Sequence, residues 1–368
     1  MSLSLLMAAG WLTNLPSAVM MNYSLAVMAL GVAVSRRSPT LPAYAAMAAA
    51  LGAALAGFYL VPAYVQQNLV NISQVLGPGV RPEDNFIFTI INDIDHNRFN
   101  FLVSIVAAWE IAILGAALFL SRKLRRQKIW WLLLAWSGLA ILLMVRVTLP
   151  LWLHLPELRF VQLPWRWLLC LNVAFALAIT MALKRWWLRA AVCVAALGAV
   201  LLVWHRVQAP WWDNSADIQE MLDNQHDGIG NEGTDEYVPR GVDPYNADQK
   251  AAQVRFEGAG GVRIDVETWQ AELRIVRASA NAPGNLVLKL FNYPSWQTSV
   301  NGCVIESATS DQGQLTIPIS AGESRVEVKF VRGWDQTAGR VVSVAALVVW
   351  LLWARFTRRR SPWAAVAA

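Results

Sequence analysis

Up to about residue 205 the hydrophobic positions form long runs broken by short polar stretches, and beyond residue 250 the rhythm changes. The runs at 15–34, 43–65, 100–120, 129–149, 164–183, 186–205 and 338–356 are each long enough, as helices, to cross a hydrocarbon core of roughly 30 Å. Between 251 and 337, apolar and polar residues instead alternate in VRFEG, VRIDVET, AELRIVRAS, NLVLKLFNY, WQTSVNG, QLTIPIS and SRVEVKFVR. Period-two alternation predicts strands that bury one face, with turns at Asn281-Ala282-Pro283-Gly284, Asn301-Gly302 and Ala321-Gly322. Asn-Gly is a strong hairpin signal, because both residues tolerate positive φ. Roughly seven such strands imply a small antiparallel β-sandwich. The expected fold is a polytopic α-helical membrane protein of about seven spans with that sandwich inserted before the last one. Its divisions are a transmembrane helical domain over residues 1–205 with external loops 66–99 and 150–163, an irregular acidic linker 206–250, the sandwich 251–337, and a final span with a basic tail, 338–368.

Charge orients these spans. Basic clusters fall at Arg36-Arg37, from Arg122 to Lys128, at Lys184-Arg185 with Arg189, and at Arg355 with Arg358-Arg359-Arg360, while the alternate connections are acidic or mixed. Lysine and arginine mark cytoplasmic loops, so the acidic loops and the sandwich are expected outside. Hydrophobic residues make up 56% of the chain and charged residues only 15%, with 19 tryptophans, a residue that enriches where headgroups meet hydrocarbon. The formal charge of +6 abuts helix ends and is therefore topological, which argues against a nucleic-acid partner and leaves membrane lipids as the expected one. Three cysteines without C-x-x-C spacing make neither a metal site nor a disulfide framework. This orientation puts residue 1 outside with no basic leader before it, and predicts that the chain is the C-terminal portion of a longer protein.

Candidate chemistry lies on the outer face. The loop 66–99 holds Arg81, Glu83, Asp84, Asp93, Asp95, His96 and Arg98 around Gly77-Pro78-Gly79. Its carboxylates and His96 are candidates for a divalent cation or acceptor contacts, and Arg81 and Arg98 for a phosphate; the plainer reading has Asp93 and Asp95 capping the next helix. Arg166 lies inside an apolar run between Trp165 and Trp167, where a guanidinium either snorkels to the interface or faces a polar cavity. A cavity would make Arg166, with Gln162 and His154, a site for a lipid-linked phosphate. Tyr293 and Trp296 are candidates for glycan binding, against a plainer role in the sandwich core or at its join to the membrane. Glu110 is the main acidic group at depth. No G-x-S-x-G, P-loop, H-E-x-x-H or dinucleotide-binding glycine pattern occurs.

Four stretches together carry a resemblance: Trp11-Leu12-Thr13-Asn14-Leu15-Pro16, Asn22-Tyr23-Ser24-Leu25-Ala26, Phe160-Val161-Gln162-Leu163-Pro164-Trp165-Arg166 and Asn292-Tyr293-Pro294-Ser295-Trp296. Their order resembles that of bacterial polytopic proteins called 6-pyruvoyl-tetrahydropterin synthase-related, which are similar to YfhO-like proteins of the GT-C glycosyltransferase fold. The Gln-x-Pro-Trp-Arg stretch is the most specific of the four, and no cysteine-histidine zinc site supports pterin chemistry. The resemblance implies a bacterial cytoplasmic-membrane protein that transfers a sugar from a polyprenyl-phosphate carrier to an envelope glycan or protein acceptor on the extracytoplasmic face. It also implies a catalytic acidic residue in a first external loop upstream of residue 1, so no catalytic residue is assigned here. The competing classes are a lipid-linked saccharide transporter or flippase, and a membrane-anchored scaffold that binds envelope glycans.

Overall fold

The computed structural model describes residues 2–211, 214–226, 235–243 and 251–359. The tail from Arg360 onward and the linker residues 227–234 and 244–250 lie outside the described residues. The chain divides into two compact units, one formed by Met1–Leu60, Val75–Trp212 and Arg340–Ala368, the other by Val61–Gln74 and Asp213–Gly339.

The helical elements are α1 Ser2–Thr13, α2 Leu15–Arg36, α3 Thr40–Leu55, α4 Gly57–Gln66, α5 Ile94–Leu120, α6 Lys128–Leu143, α7 Leu149–His154, α8 Leu168–Ala182, α9 Trp186–Trp211, α10 Ser215–His226 and α11 Trp334–Arg359. Among the described residues five helices are long and apolar enough to cross a membrane, or seven when each of two bent pairs counts as one span. The bends depart from the straight spans expected at 43–65 and 129–149. The first lies at Ala56, where α3 and the helical stretch Gly57–Leu69 meet at 78°. A broken helix in an apolar setting needs new partners for the backbone groups it frees. Ser343 of α11 supplies both: its hydroxyl accepts from the Phe58 N–H at 2.8 Å and donates to the Ala54 carbonyl at 3.3 Å. The second bend, 87°, follows Leu143. There Trp152 Nε1 donates to the Leu143 carbonyl at 3.1 Å, Thr148 Oγ1 to the Leu142 carbonyl at 3.0 Å, and the Ile87 N–H to the Met144 carbonyl at 3.0 Å. The start of the expected loop 150–163 is thus helical, as α7.

Two further elements depart from expectation. Helix α1 is a separate apolar helix packed on α3, where a Cβ on Gly52 would collide with Met7 and the Ser4 carbonyl, so the close approach requires glycine. Asn14 then caps α2 by accepting from the Ser17 N–H at 2.9 Å. The linker is helical at its start: α9 runs on to Trp211 and α10 follows. The helical core holds Phe86, Leu114, Leu143, Met144, Trp152, Leu158, Trp167 and Leu171, all essentially inaccessible. Hydrogen bonds also cross between these helices, as from Trp136 Nε1 to Ser24 Oγ at 2.9 Å.

Among the described residues the second unit contains nine strands rather than roughly seven: β1 Val254–Gly258, β2 Val262–Trp269, β3 Leu273–Ala280, β4 Gly284–Phe291, β5 Trp296–Val300, β6 Cys303–Ile305, β7 Ala308–Thr309, β8 Gln314–Ile319 and β9 Gly322–Phe330. They form two antiparallel sheets, β1-β4-β8-β7 and β2-β3-β9-β5-β6. The two added strands are the short β6 and β7. Asn301 and Gly302 turn β5 into β6 with φ of 51° and 83°, the conformation that Asn-Gly is chosen for. One core joins the two sheets, with Leu286, Leu288, Leu315 and Ile317 from the first and Val276, Val326 and Val328 from the second. Residues 61–74 belong to this unit. Asn71 donates from Nδ2 to the Val242 carbonyl at 3.1 Å and accepts from the Gly241 N–H at 3.1 Å, and Val70 forms a bridge with Pro239.

Candidate functional site

The candidate site grows from the segment between α7 and α8. Val161, Gln162 and Leu163 form a three-residue turn in which the Leu163 N–H donates to the Val161 carbonyl at 2.7 Å. Gln162 sits at φ 63°, ψ −58°, the strained form of the γ-turn, and it is not a glycine. Such strain costs about 1–3 kcal/mol and persists only where the surroundings enforce it. Two side chains do so here. Gln162 Nε2 donates to the Val75 carbonyl at 2.7 Å, and Arg166 Nη1 donates to the Val161 carbonyl at 2.8 Å and to Gln162 Oε1 at 3.1 Å. Pro164 begins the 3-10 turn Pro164–Trp167, which needs no N–H at that position and aims Arg166 back over the turn.

Arg166 also lines a cleft of about 530 Å³ whose other walls are mainly apolar: Phe99, Val103 and Val106 of α5, Leu168 and Leu169 of α8, and Val200, Val203 and Trp204 of α9. The polar lining is Arg166, the Trp165 indole, and Asn14 and Ser17 at the start of α2. Among the described residues only Nη1 of the guanidinium has acceptors, and no carboxylate pairs with it. The Trp165 indole N–H is likewise buried without an acceptor among them, its ring held edge-on to Phe99 at 5.8 Å. A planar fork with unspent donors beside an apolar slot matches an anionic head on an apolar tail. Glu110, one turn beyond Val106 on α5, lies roughly 16 Å along the helix from Phe99 and does not itself line the cleft. Glu110 is 7% exposed, and its Oε2 has no hydrogen-bond partner among the described residues.

The other predicted residues are placed as follows. Gln162 joins Arg166 but acts through the turn, and Arg98, His154 and Arg81 do not line the cleft. Arg98 is exposed at the start of α5. His154 closes α7 on itself, its Nδ1 2.8 Å from the Pro150 carbonyl. Arg81 pairs with Asp84 at 2.8 Å, and the hydrogen bond to that carboxylate holds its guanidinium above the ordinary pKa.

The acidic loop is knitted to itself. Asp84 is buried, accepting from the Gly79 N–H at 2.9 Å as well as from Arg81. The Asp84 carbonyl lies 3.1 Å from His96 Nε2. Asp93 accepts from the His96 N–H at 2.9 Å and is the N-cap of α5, while Asp95 is exposed in the first turn and Glu83 is half-buried. No group of three His, Cys, Asp or Glu side chains converges among the described residues, so Glu83, Asp84, Asp93, Asp95 and His96 do not assemble a cation cage. The loop instead needs these groups to satisfy its own backbone, a task shared by Asn100. Asn100 is fully buried and donates to the Phe86 and Thr89 carbonyls at 3.0 and 2.9 Å.

In the sandwich, the Tyr293 hydroxyl donates to the Tyr237 carbonyl, and burial pushes its pKa up to about 12. Trp296 packs edge-on against Phe330 at 5.7 Å and lies under the Arg274 guanidinium at 4.8 Å, so both aromatics are committed to internal contacts. Sequence reasoning passed over Trp165 and Asn14. The signal for Trp165 was its place next to a charge in an apolar run, and for Asn14 its position before Leu15-Pro16, a helix start. No family model matches the chain, and no curated protein or solved structure is significantly similar to it.

Proposed function

We propose that the chain is a membrane-embedded enzyme of the GT-C glycosyltransferase kind, using a polyprenyl-phosphate-linked sugar on the extracytoplasmic face. The observation that carries this reading is Arg166. A half-buried guanidinium keeps donors unspent beside a mainly apolar cleft, and it clamps a strained turn that would be needless for a simple interfacial anchor. In this reading the carrier phosphate lies against Arg166, with the Trp165 N–H and the positive end of α2 beside it. The prenyl chain follows the valine-lined walls. The apolar helices cross the bacterial cytoplasmic membrane with Arg36, Lys123 and Arg358 inside and the sandwich outside, a reading supported by the distribution of basic residues. The acceptor is an envelope glycan or protein.

The test is carrier-dependent glycan transfer by membranes that carry the protein at matched expression. Arg166→Ala abolishes transfer, and Arg166→Lys restores it poorly, because an ammonium cannot hold two phosphate oxygens in a plane. If Arg166 only anchors the helix at the interface, Lys snorkels equally well and transfer is unchanged. Glu110, buried on α5 with its Oε2 unpartnered among the described residues, favours a second reading: a transporter or flippase for lipid-linked saccharides. Under that reading Glu110→Gln stops movement of lipid-linked saccharide across vesicle membranes, whereas the enzyme reading leaves Glu110→Gln active.

A further inference from the structure

The strand register gathers an aromatic and cationic cluster at one end of the five-stranded sheet. Trp269 at the end of β2 faces Arg274 at the start of β3, Arg274 faces Val328, and Trp296 at the start of β5 faces Phe330 at the end of β9. The Arg274 guanidinium lies 5.5 Å from the Trp269 ring centre and 4.8 Å from that of Trp296. Its Nη1 donates to the Ala271 carbonyl at 2.6 Å, yet among the described residues Nε is buried without a partner and no carboxylate pairs with the group. Burial lowers its pKa, as expected for a cation sheltered by two indoles. Phe330, Val331 and Trp334 are exposed large apolar side chains, and Trp334 is 71% accessible. Lys329 and Arg332 are exposed among them, with Glu272 as the exposed acid nearby.

Such a surface is out of place on a domain bathed only in water, and the chain identifies what covers it. Phe330 is followed within four residues by the start of α11, whose stretch Trp334–Arg355 has the length and hydropathy of a membrane span. Four extended residues reach at most about 14 Å, so this end of the sandwich cannot leave the headgroup layer of the membrane that α11 enters. Indoles partition to that layer, and cations near anionic headgroups gain about fivefold in local contact apiece. We propose that the exposed Phe330, Val331 and Trp334, with Lys329 and Arg332, at the end of the sandwich braced by Trp269, Arg274 and Trp296, form a docking surface for anionic phospholipid headgroups. Docking holds that end of the sandwich at the membrane surface. The inference rests on α11 spanning the membrane and is independent of glycosyl transfer.

The test uses the full chain with Cys170, Cys193 and Cys303 replaced by alanine or serine, reconstituted into vesicles of phosphatidylcholine with about a third phosphatidylglycerol and a trace of nickel-chelating lipid. Nitroxides are placed singly at Ala271→Cys in the β2–β3 turn, at Glu323→Cys at the opposite end of β9, and at Val344→Cys on α11. Glu323 and Phe330 are roughly 23 Å apart along the strand. Docking predicts strong nickel relaxation at 271, little at 323, and high oxygen accessibility at 344. It also predicts that Lys329→Gln with Arg332→Gln, or vesicles of phosphatidylcholine alone, lower relaxation at 271 severalfold. Equal relaxation at 271 and 323 with high oxygen accessibility at 344 overturns the docking while leaving the span intact. Low oxygen accessibility at 344 overturns the span and the docking with it, and relaxation at 271 indifferent to lipid charge overturns the anionic preference.

Discussion

Replacing Gln162 tests whether the turn beneath Arg166 is strained and enforced by side chains. Both Gln162→Ala and Gln162→Gly remove the donation to the Val75 carbonyl and the acceptor for Arg166 Nη1. A neutral hydrogen bond contributes about 1 kcal/mol and one to a charged group about 1.5–3 kcal/mol, so either change costs about 2.5–4 kcal/mol. The two variants differ in the backbone. At φ 63°, ψ −58° alanine keeps the steric strain, whereas glycine releases about 1 kcal/mol or more of it. Glycine's greater unfolded-state entropy offsets about 0.4–1 kcal/mol of that gain. The expected order is therefore parent, then Gly, then Ala, the reverse of the usual preference for alanine over glycine. Unfolding of the purified protein by sodium dodecyl sulfate in mixed micelles, read by circular dichroism, gives the order. An alanine variant clearly more stable than the glycine variant would mean that the turn is unstrained, and would remove the argument that strain marks this site.

Other regions of the structure give independent predictions. Asn100→Leu leaves the Phe86 and Thr89 carbonyls buried without donors, and is expected to destabilise the helical unit by about 2–4 kcal/mol in the same assay. Asp93→Ala removes the N-cap of α5 and costs about 1 kcal/mol, whereas a cation site at Asp93 would appear instead as metal-dependent stability lost in the variant. Tyr293 has a folded pKa raised to about 12, so its contribution is complete below the unfolded value near 10 and fades as pH rises between the two. Tyr293→Phe is expected to lose that alkaline slope, followed through tyrosinate absorbance and the unfolding midpoint. A fragment of residues 251–332 is expected to fold as a β-rich soluble domain, since one core joins its two sheets; a helical or disordered spectrum would contradict this.

The elements legible in the sequence were those whose pattern is local. Period-two alternation located the strands from β1 to β5, β8 and β9, and Asn301-Gly302 located the hairpin, because side-chain direction and positive φ are set residue by residue. The bends at Ala56 and after Leu143 were not legible, because hydrophobicity continues through both. The groups that make them tolerable, Ser343, Thr148 and Trp152, act through hydrogen bonds that no run of hydropathy records. Helix α10 was hidden by its charge, which gave the segment the look of a linker. In the candidate site, Arg166 stood out as a charge within an apolar run, but the turn it clamps did not, since Gln gives no hint of positive φ. The acidic loop misled for a related reason. Asp84, Asp93 and His96 resemble ligands in sequence, yet an irregular loop between apolar helices must first pair its own backbone.

The central claim, that the cleft beside Arg166 takes a lipid phosphate, is tested most directly by calorimetric titration of the detergent-purified chain with farnesyl phosphate and with farnesol. The two ligands share the apolar tail, so their difference isolates the head. A charge-assisted contact of about 1.5–3 kcal/mol predicts that the phosphate binds roughly tenfold to a hundredfold more tightly. Arg166→Ala should erase that difference while farnesol binding is retained. Equal affinity of the two ligands for the parent protein, or an unchanged preference for the phosphate in Arg166→Ala, would contradict the account.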